Sequence, residues 1–371
     1  MSQVHKGLEG ILADTTSISL VDGEAGRLYY RGYPVESLVR YPFAAVVNLI
    51  VFGELPSSRR LAEVEEFLWH AGRLPPDTSQ CLRELARQGA HPMATLQAIV
   101  PLLGFEPPEV ALADSVQAHE GLVIAARLPA AIALVRAALE DHPEHPYPTS
   151  RSYGERYLML MNGRTPTAEE VEAFDCMQIL QLDHGFNAST FAARVVTSTL
   201  APTSSALSAA MGALYGPLHG AADQGALEMA LEVGDAAAAG EFVERCLQTK
   251  RRVLGMGHRE YRVVDPRAKI MKAMARKIAT RPEHQRIFET LSAVEAAFIE
   301  RTAAKRRALR ANMEFYKGVV FLALGIPKEL FTATFAAARV FGWVAHTIEQ
   351  RQDNRIIRPS ALYIGPAPRD S

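Results

Sequence analysis

Apolar and polar residues alternate along residues 8–31, LEGILADTTSISLVDGEAGRLYYR, on both sides of Asp22-Gly23. A period of two around a turn dipeptide predicts one or two short hairpins. From Pro34 the period changes to three and four, which predicts helices over 34–39, 44–53 and 57–71, the last capped at Ser57-Ser58. CLRELARQG closes on Gly89 behind an arginine, as a helix exit does. Residues 91–104 are apolar nearly all round, as are 121–139 with an interruption near Pro129, so both belong in a core. Residues 141–152, DHPEHPYPTSRS, read as a loop, and Thr165-Pro166-Thr167 before AEEVEAF starts a capped helix running toward Leu182. Further helices are expected over 187–200, 203–215, beyond His219, and over 269–278, 282–310 and 327–351. Between them 232–246 is a short amphipathic stretch around Gly234, and RIIRPSALYIGP is an extended tail. The fold class is mostly α with a small β-hairpin region at the start.

Bulk composition narrows the class of function. The 371 residues are 48% hydrophobic and 22% charged, enough to bury a sizeable core in two domains or one large one. A net charge of −1 argues against wholesale nucleic-acid binding, so any basic site is local. Cys81, Cys176 and Cys246 lie far apart with no CxxC pair, which suits a reducing compartment and neither a disulfide framework nor a zinc site. MSQVHKGLEG has no apolar core of signal-peptide length, and no run of ~18 apolar residues occurs. These features predict a cytoplasmic protein with neither nucleic acid nor membrane as partner.

Chemistry concentrates in four breaks of regular structure. The most informative is 254–267, LGMGHREYRVVDPR, where two glycines precede His258 and both signs of charge follow. Glycine lets a ligand approach the main chain, and Lys250, Arg251, Arg252 and Arg262 can neutralise an anion. The same charge run also reads as a solvated face. No P-loop lysine follows the Gly-x-Gly. His184, in LDHGFNASTFAARV, sits where one helix gives way to another, a place that suits a structural histidine as well as a catalytic one. His219, in YGPLHGAADQG, falls near a helix N-terminus, whose dipole disfavours imidazolium; a plain turn histidine is the alternative. Glu314, in ANMEFYKG, is either a functional carboxylate or half of a surface ion pair. Arg339 and Arg358 stand among apolar or rigid neighbours, where an arginine finds a carboxylate of the protein or of a ligand.

The order of these motifs resembles that of citrate synthases. HPMATLQAIVPLLG is similar to that family's HPM segment, LDHGFNASTFAARV to DHELNASTFAARV, and YGPLHGAADQ to GPLHGGANE. LGMGHREYRVVDPRA resembles GxGHRVYKxxDPRA and ANMEFYKG resembles PNVDFYSG, while the start (LYYRGYPVESL, FGELPSSRRL) and end (FAAARVFGWVAHTIEQ, RIIRPSALYIGP) extend the likeness over the whole length. The resemblance implies a two-domain helical fold: a large domain of 1–218 plus 320–371, and a small domain of 219–319 that closes over the substrates. It implies condensation of acetyl-CoA with oxaloacetate to citrate, with the coenzyme A thioester as co-substrate and no permanently bound cofactor or metal. By matched position His219, His258 and Glu314 are catalytic. His184, Arg267 and Arg339 hold oxaloacetate, with Arg358 supplied by the other subunit of a homodimer. Leu254, Gly255, Met256, Gly257 and Arg262 contact coenzyme A. Propionyl-CoA as substrate, or binding with little turnover, remain as alternatives.

Three departures fall at the site. Glu314 stands where the family has an aspartate, one methylene shorter. HGGANE has become HGAADQ at Ala221, Asp223 and Gln224, and DHEL has become DHGF at Gly185-Phe186.

Overall fold

The computed structural model describes residues 4–220, 222–258, 260–303 and 309–367, with only the backbone of Asp223. Ala221 and the Asp223 side chain, two of the departures, therefore lie outside the described residues. The expected hairpin region is a three-stranded antiparallel sheet of β1 (Ser19–Asp22), β2 (Arg27–Tyr30) and β3 (Tyr33–Pro34), with Ser19 opposite Tyr30. Its alternation buries Leu28 and Tyr30 and turns the intervening Tyr29 outward.

Everything after the sheet is helical. The first group comprises α1 (Val35–Leu38), α2 (Phe43–Phe52), α3 (Ser58–Ala71), α4 (Pro76–Arg87) and α5 (Pro92–Leu103). Then come α6 (Val116–Leu139), α7 (Tyr153–Asn162), α8 (Ala168–Gln181), α9 (Ala188–Ser198) and α10 (Thr203–Tyr215). The remainder are α11 (Ala222–Val233), α12 (Ala239–Gln248), α13 (Pro266–Ile278), α14 (Pro282–Thr302), α15 (Glu314–Ala323) and α16 (Phe331–Gln352). Local chemistry starts several of them. Ser57 accepts from the Arg60 N–H at 3.2 Å, Asn187 from the Thr190 N–H at 3.1 Å, and Thr167 and Glu170 form a reciprocal capping box.

Three elements differ from expectation. The helix over Pro129 is not interrupted: α6 runs unbroken from Val116, because it packs on α4, α5, α7 and α16 and burial outweighs the ~3 kcal/mol a mid-helix proline costs. Residues 232–246 are not one stretch, since Gly234 adopts φ +85° and ends α11 before α12 begins. The expected helix over 282–310 is described as α14 only to Thr302.

α16 is the axis of the larger body. It is buried on every side by α2, α6, α8, α9 and α10, and its Trp343 is wholly enclosed. α11, α12, α13, α14 and α15 pack mainly on one another, with α13 touching α1 and α8. Among the described residues α6 is the one helix long and apolar enough to cross a membrane, and 78% of its most apolar window is buried in the fold.

Candidate active site

The turn from α8 to α9 is anchored by Asp183. Its Oδ1 faces His346 Nε2 at 3.1 Å, and Oδ2 accepts the Gly185 N–H at 3.0 Å and the Ser19 hydroxyl. Gly185 takes φ +59°, a left-handed conformation that suits glycine. Phe186 lies 4.4 Å beneath the Arg194 guanidinium and edge-on to His346. His184 is thereby fixed beside the 250–265 loop, its Nε2 3.2 Å from the Tyr261 hydroxyl and its ring 5.2 Å from that of His258. Burial, and then Arg267, hold His184 well below the usual imidazole range, so it is neutral.

The loop carrying His258 is zipped to the segment that leads into α15. Gly257 N–H donates to Arg310 O at 2.7 Å, Met256 bridges Ala311, and the Asn312 N–H and Nδ2 donate to Gly255 O and Gly257 O at 2.9 and 3.0 Å. Gly255 and Gly257 both have positive φ, and a Cβ at 255 would lie 3.0 Å from the Cα of Phe315. On its other side the loop meets the β1–β2 turn, where Arg262 N–H donates to Gly23 O at 2.9 Å. A Cβ at Gly23 would come within 2.2 Å of Glu260 O, so only glycine admits this contact.

Within that clamp His258 Nδ1 accepts the backbone N–H groups of Glu260 and Tyr261 at 3.0 and 3.2 Å. Two main-chain donors at 3.0 and 3.2 Å on Nδ1 outweigh the longer 3.4 Å approach of Arg267 Nη2 to Nε2, which puts the ring proton of a neutral imidazole on Nε2. Two donors side by side call for an acceptor oxygen between them. Arg267 is buried and forked onto Asp265, at 3.0 Å from Nε to Oδ1 and 2.9 Å from Nη2 to Oδ2. Asp265 also caps α13 through the Arg267 N–H. Although burial disfavours both charges, each stabilises the other: Arg267 is raised and Asp265 is held below the usual carboxylate range.

His219 enters from the turn between α10 and α11. Its Nε2 receives the Ser189 backbone N–H at 3.3 Å and contacts the Ser189 hydroxyl at 2.8 Å. A backbone N–H can only donate, so Nε2 accepts and Nδ1 carries the proton. Ser189 is itself fixed by Trp343 Nε1, which donates to its oxygen at 3.2 Å, and by Asn187 Oδ1, which accepts from it at 2.8 Å. Burial, with Arg339 adding to it, brings the imidazole down to about 4, so His219 is a neutral donor. Burial and a cation thus lower this histidine in the same direction as the helix N-terminus expected from the sequence.

Glu314 opens α15, where the N-terminus favours a carboxylate. Burial pushes its carboxyl up, but Lys317 and then Arg267 more than offset this and hold it ionised below the usual range. Arg339, on α16, is buried, donates from Nε to Gln181 O at 2.6 Å, and makes no other hydrogen bond among the described residues.

The remaining sequence candidates lie farther out. Leu254 is exposed and lies over Gly225 of α11. Arg262 is 69% exposed and pairs with Glu24 at 2.7 Å. Arg358 is exposed on the tail after α16. Sequence reasoning missed Ser189, Tyr261, Gln181, Trp343 and Lys317. Only Lys317 left a readable signal, a lysine in ANMEFYKG where the similar pattern has serine. Among the described residues no three His, Cys, Asp or Glu side chains cluster as metal ligands.

Neutral histidines, an ionised carboxylate and two buried arginines lying near one another are the groups that proton transfer on an anionic substrate calls for. Comparison with known proteins supplies the family. The model of the citrate synthase C-terminal domain matches residues 7–360. The chain is 34% identical over 368 residues to citrate synthase 2 of Bacillus subtilis, covering 97% of this chain and 96% of the relative. It is 35% identical over 365 residues to the 2-methylcitrate synthase of Shewanella oneidensis, covering 98% and 95%. The ternary complex of citrate synthase from Thermoplasma acidophilum with carboxymethyl coenzyme A and oxaloacetate superposes with a TM-score of 0.91 at 31% identity, over 100% of this chain and 98% of that one. The chain belongs to the citrate synthase family, acyltransferases built on a nearly all-α fold.

Proposed function

We propose that this enzyme condenses acetyl-CoA with oxaloacetate to give citrate and free coenzyme A. What supports this reading is a chain of neighbours: His219 lies within the electrostatic reach of Glu314 and Arg339, Glu314 within that of Arg267, and Arg267 Nη2 stands 3.4 Å from His258 Nε2. A carboxylate and a thioester methyl differ by roughly 15 pKa units, on the order of 20 kcal/mol, so a base alone cannot take the proton. Glu314 removes it while His219 donates to the thioester oxygen and stabilises the enol. The enol carbon bonds to the keto carbon of oxaloacetate, and His258 gives its Nε2 proton to the keto oxygen, the proton taken by Glu314 returning to the His258 ring through solvent to reset both groups. Water then cleaves the thioester of the adduct, releasing citrate and the thiol. His184, Arg267 and Arg339 bind the dianion, guanidinium forks matching carboxylates two bonds at a time. Leu254 to Gly257 and Arg262 receive coenzyme A.

Two further assignments rest on the same reading. The small domain of 219–319 closes over the substrates and excludes water. The working unit is a homodimer in which Arg358 reaches the partner's cleft. In support of this, the tail leaves Ile356, Leu362, Tyr363 and Ile364 at 61–90% exposure in a single chain, an apolar ribbon that a second copy would cover. Free thiols at Cys81, Cys176 and Cys246 support a cytoplasmic location.

Thiol release measured with acetyl-CoA and propionyl-CoA against a panel of 2-oxo acids tests the reaction. Acetyl-CoA with oxaloacetate is expected to turn over fastest. The resemblance to a 2-methylcitrate synthase makes propionyl-CoA the alternative. No thiol release from any pair would overturn the catalytic reading.

A further inference from the structure

Lys317 has no part in the mechanism above, yet it lies against the base. α15 places Glu314 and Lys317 three residues apart on one face, and their side chains form an ion pair between Nζ and Oε2. The two ends differ sharply in exposure: the lysine side chain is 0% exposed and the glutamate 21%. The ammonium therefore holds the carboxylate from inside the protein while the glutamate keeps partial exposure. Burying an ammonium is expensive unless its position is well compensated. Here Nζ also donates to Gln181 Oε1 at 3.1 Å and lies 4.3 Å over the Phe335 ring. Gln181 is fixed in turn, its Nε2 donating to Met177 O at 3.0 Å and its carbonyl accepting Arg339 Nε. The anchor is consequently rigid and shared with the arginine of the cleft.

The sequence shows why such an anchor is needed. Glutamate at 314 carries its carboxylate one methylene farther than the aspartate of the similar pattern, and lysine at 317 stands where that pattern has serine. Both changes occur within a single helical turn, and they touch. We propose that Lys317 is a positioning residue for the condensation: it draws Glu314 Oε2 back toward the core and so restores the base's reach, leaving Oε1 to take the proton. This rests on Glu314 being the base. Glutamate and lysine form one unit replacing an aspartate–serine unit, and neither works well without the other.

Steady-state thiol release, oxaloacetate affinity by calorimetry and thermal unfolding would be measured for K317M, K317S, E314D, the double variant E314D/K317S, and E314Q. K317M is expected to lose about 10²-fold in kcat, as a displacement of about 1 Å implies, with the oxaloacetate Kd within about 3-fold. E314D alone is expected to lose a similar factor, because the lysine pulls the shorter side chain out of reach. The double variant is expected to regain kcat to within about 10-fold of the parent, a rescue that a purely structural lysine would not produce. Parental kcat in K317M, or losses in E314D and K317S that simply multiply in the double variant, would overturn the proposal. If K317M does not fold, the rescue in the double variant still decides. E314Q separates the two levels: parental kcat in E314Q refutes Glu314 as the base, whereas loss in E314Q without rescue in the double variant refutes only the role of Lys317.

Discussion

Replacing Gly255 by alanine tests whether the pairing of 255–257 with 310–312 sets the distance between His258 and Glu314. Gly255 has φ +75°, a region that strains an L-residue by ~1–2 kcal/mol. The new methyl would stand 2.8 Å from Phe315 Cδ2 and 3.0 Å from its Cα and Cβ. Rotating the ring relieves only the first contact, so backbone must move, adding ~1–3 kcal/mol of overpacking. The expected loss of stability is ~2–5 kcal/mol. Phe315 is the neighbour of Glu314, and the Asn312 N–H to Gly255 O bond spans the same gap, so the displacement passes directly to the base. A shift of about 1 Å predicts a kcat lower by ~10²-fold. Gly234→Ala is the control. It has φ +85° but open space around the new methyl, so it should cost ~1 kcal/mol and leave kcat unchanged. Urea denaturation and thiol release on both variants give the answer. Parental kcat in a folded Gly255→Ala protein would refute the view that this pairing fixes the catalytic distance.

Other outcomes follow from the same geometry. His219→Ala removes the donor to the thioester oxygen and should lower kcat by ~10²–10³-fold while oxaloacetate affinity by calorimetry stays within a few-fold; an equal change in both would make it a binding residue. Co-assembling Arg358→Ala with His219→Ala chains leaves one intact site in each hybrid dimer and should restore about one quarter of parental activity, half the dimers being hybrids; no recovery argues against a shared site. Burial pushes the Asp175 carboxyl up to about 7 from 3.8, so the native state binds the extra proton between those values. Stability should therefore fall as pH rises across that window, at up to ~1.4 kcal/mol per unit, and level off above it. Asp175→Asn should flatten this slope in denaturant midpoints taken against pH, and an unchanged slope would assign it to other groups.

What could be read from the sequence was local or contiguous. Ser57, Thr167 with Glu170, and Asn187 cap helices through bonds that span three residues, so composition alone exposes them. The 254–267 loop is legible because its histidine, glycines and arginine are consecutive. Pro129 was misleading because a propensity rule ignores the neighbours that bury α6 on all sides. The ion pairs Arg251–Glu232 and Arg262–Glu24 show that part of the basic run is indeed a solvated face. The partners of Ser189 and Lys317 were invisible for a different reason. Periodicity tells which helix face is buried, not which polar atom on another helix waits opposite, and their partners His219, Trp343 and Gln181 come from elsewhere in the chain.

The β1–β2 turn seated on the His258 loop has a bearing on how the enzyme comes into being. Gly23 binds Arg262, Ser19 binds Asp183, and the Ser17 N–H is received by Glu349 at 2.8 Å across 332 positions of chain. The strands therefore find their seats only when residues up to 332 positions downstream are in place. Contacts of such long range form late and slow the final step of folding. Because the same contacts brace His258 and the Asp183–His184 turn, a nascent or truncated chain can collapse its helices yet holds no finished cleft.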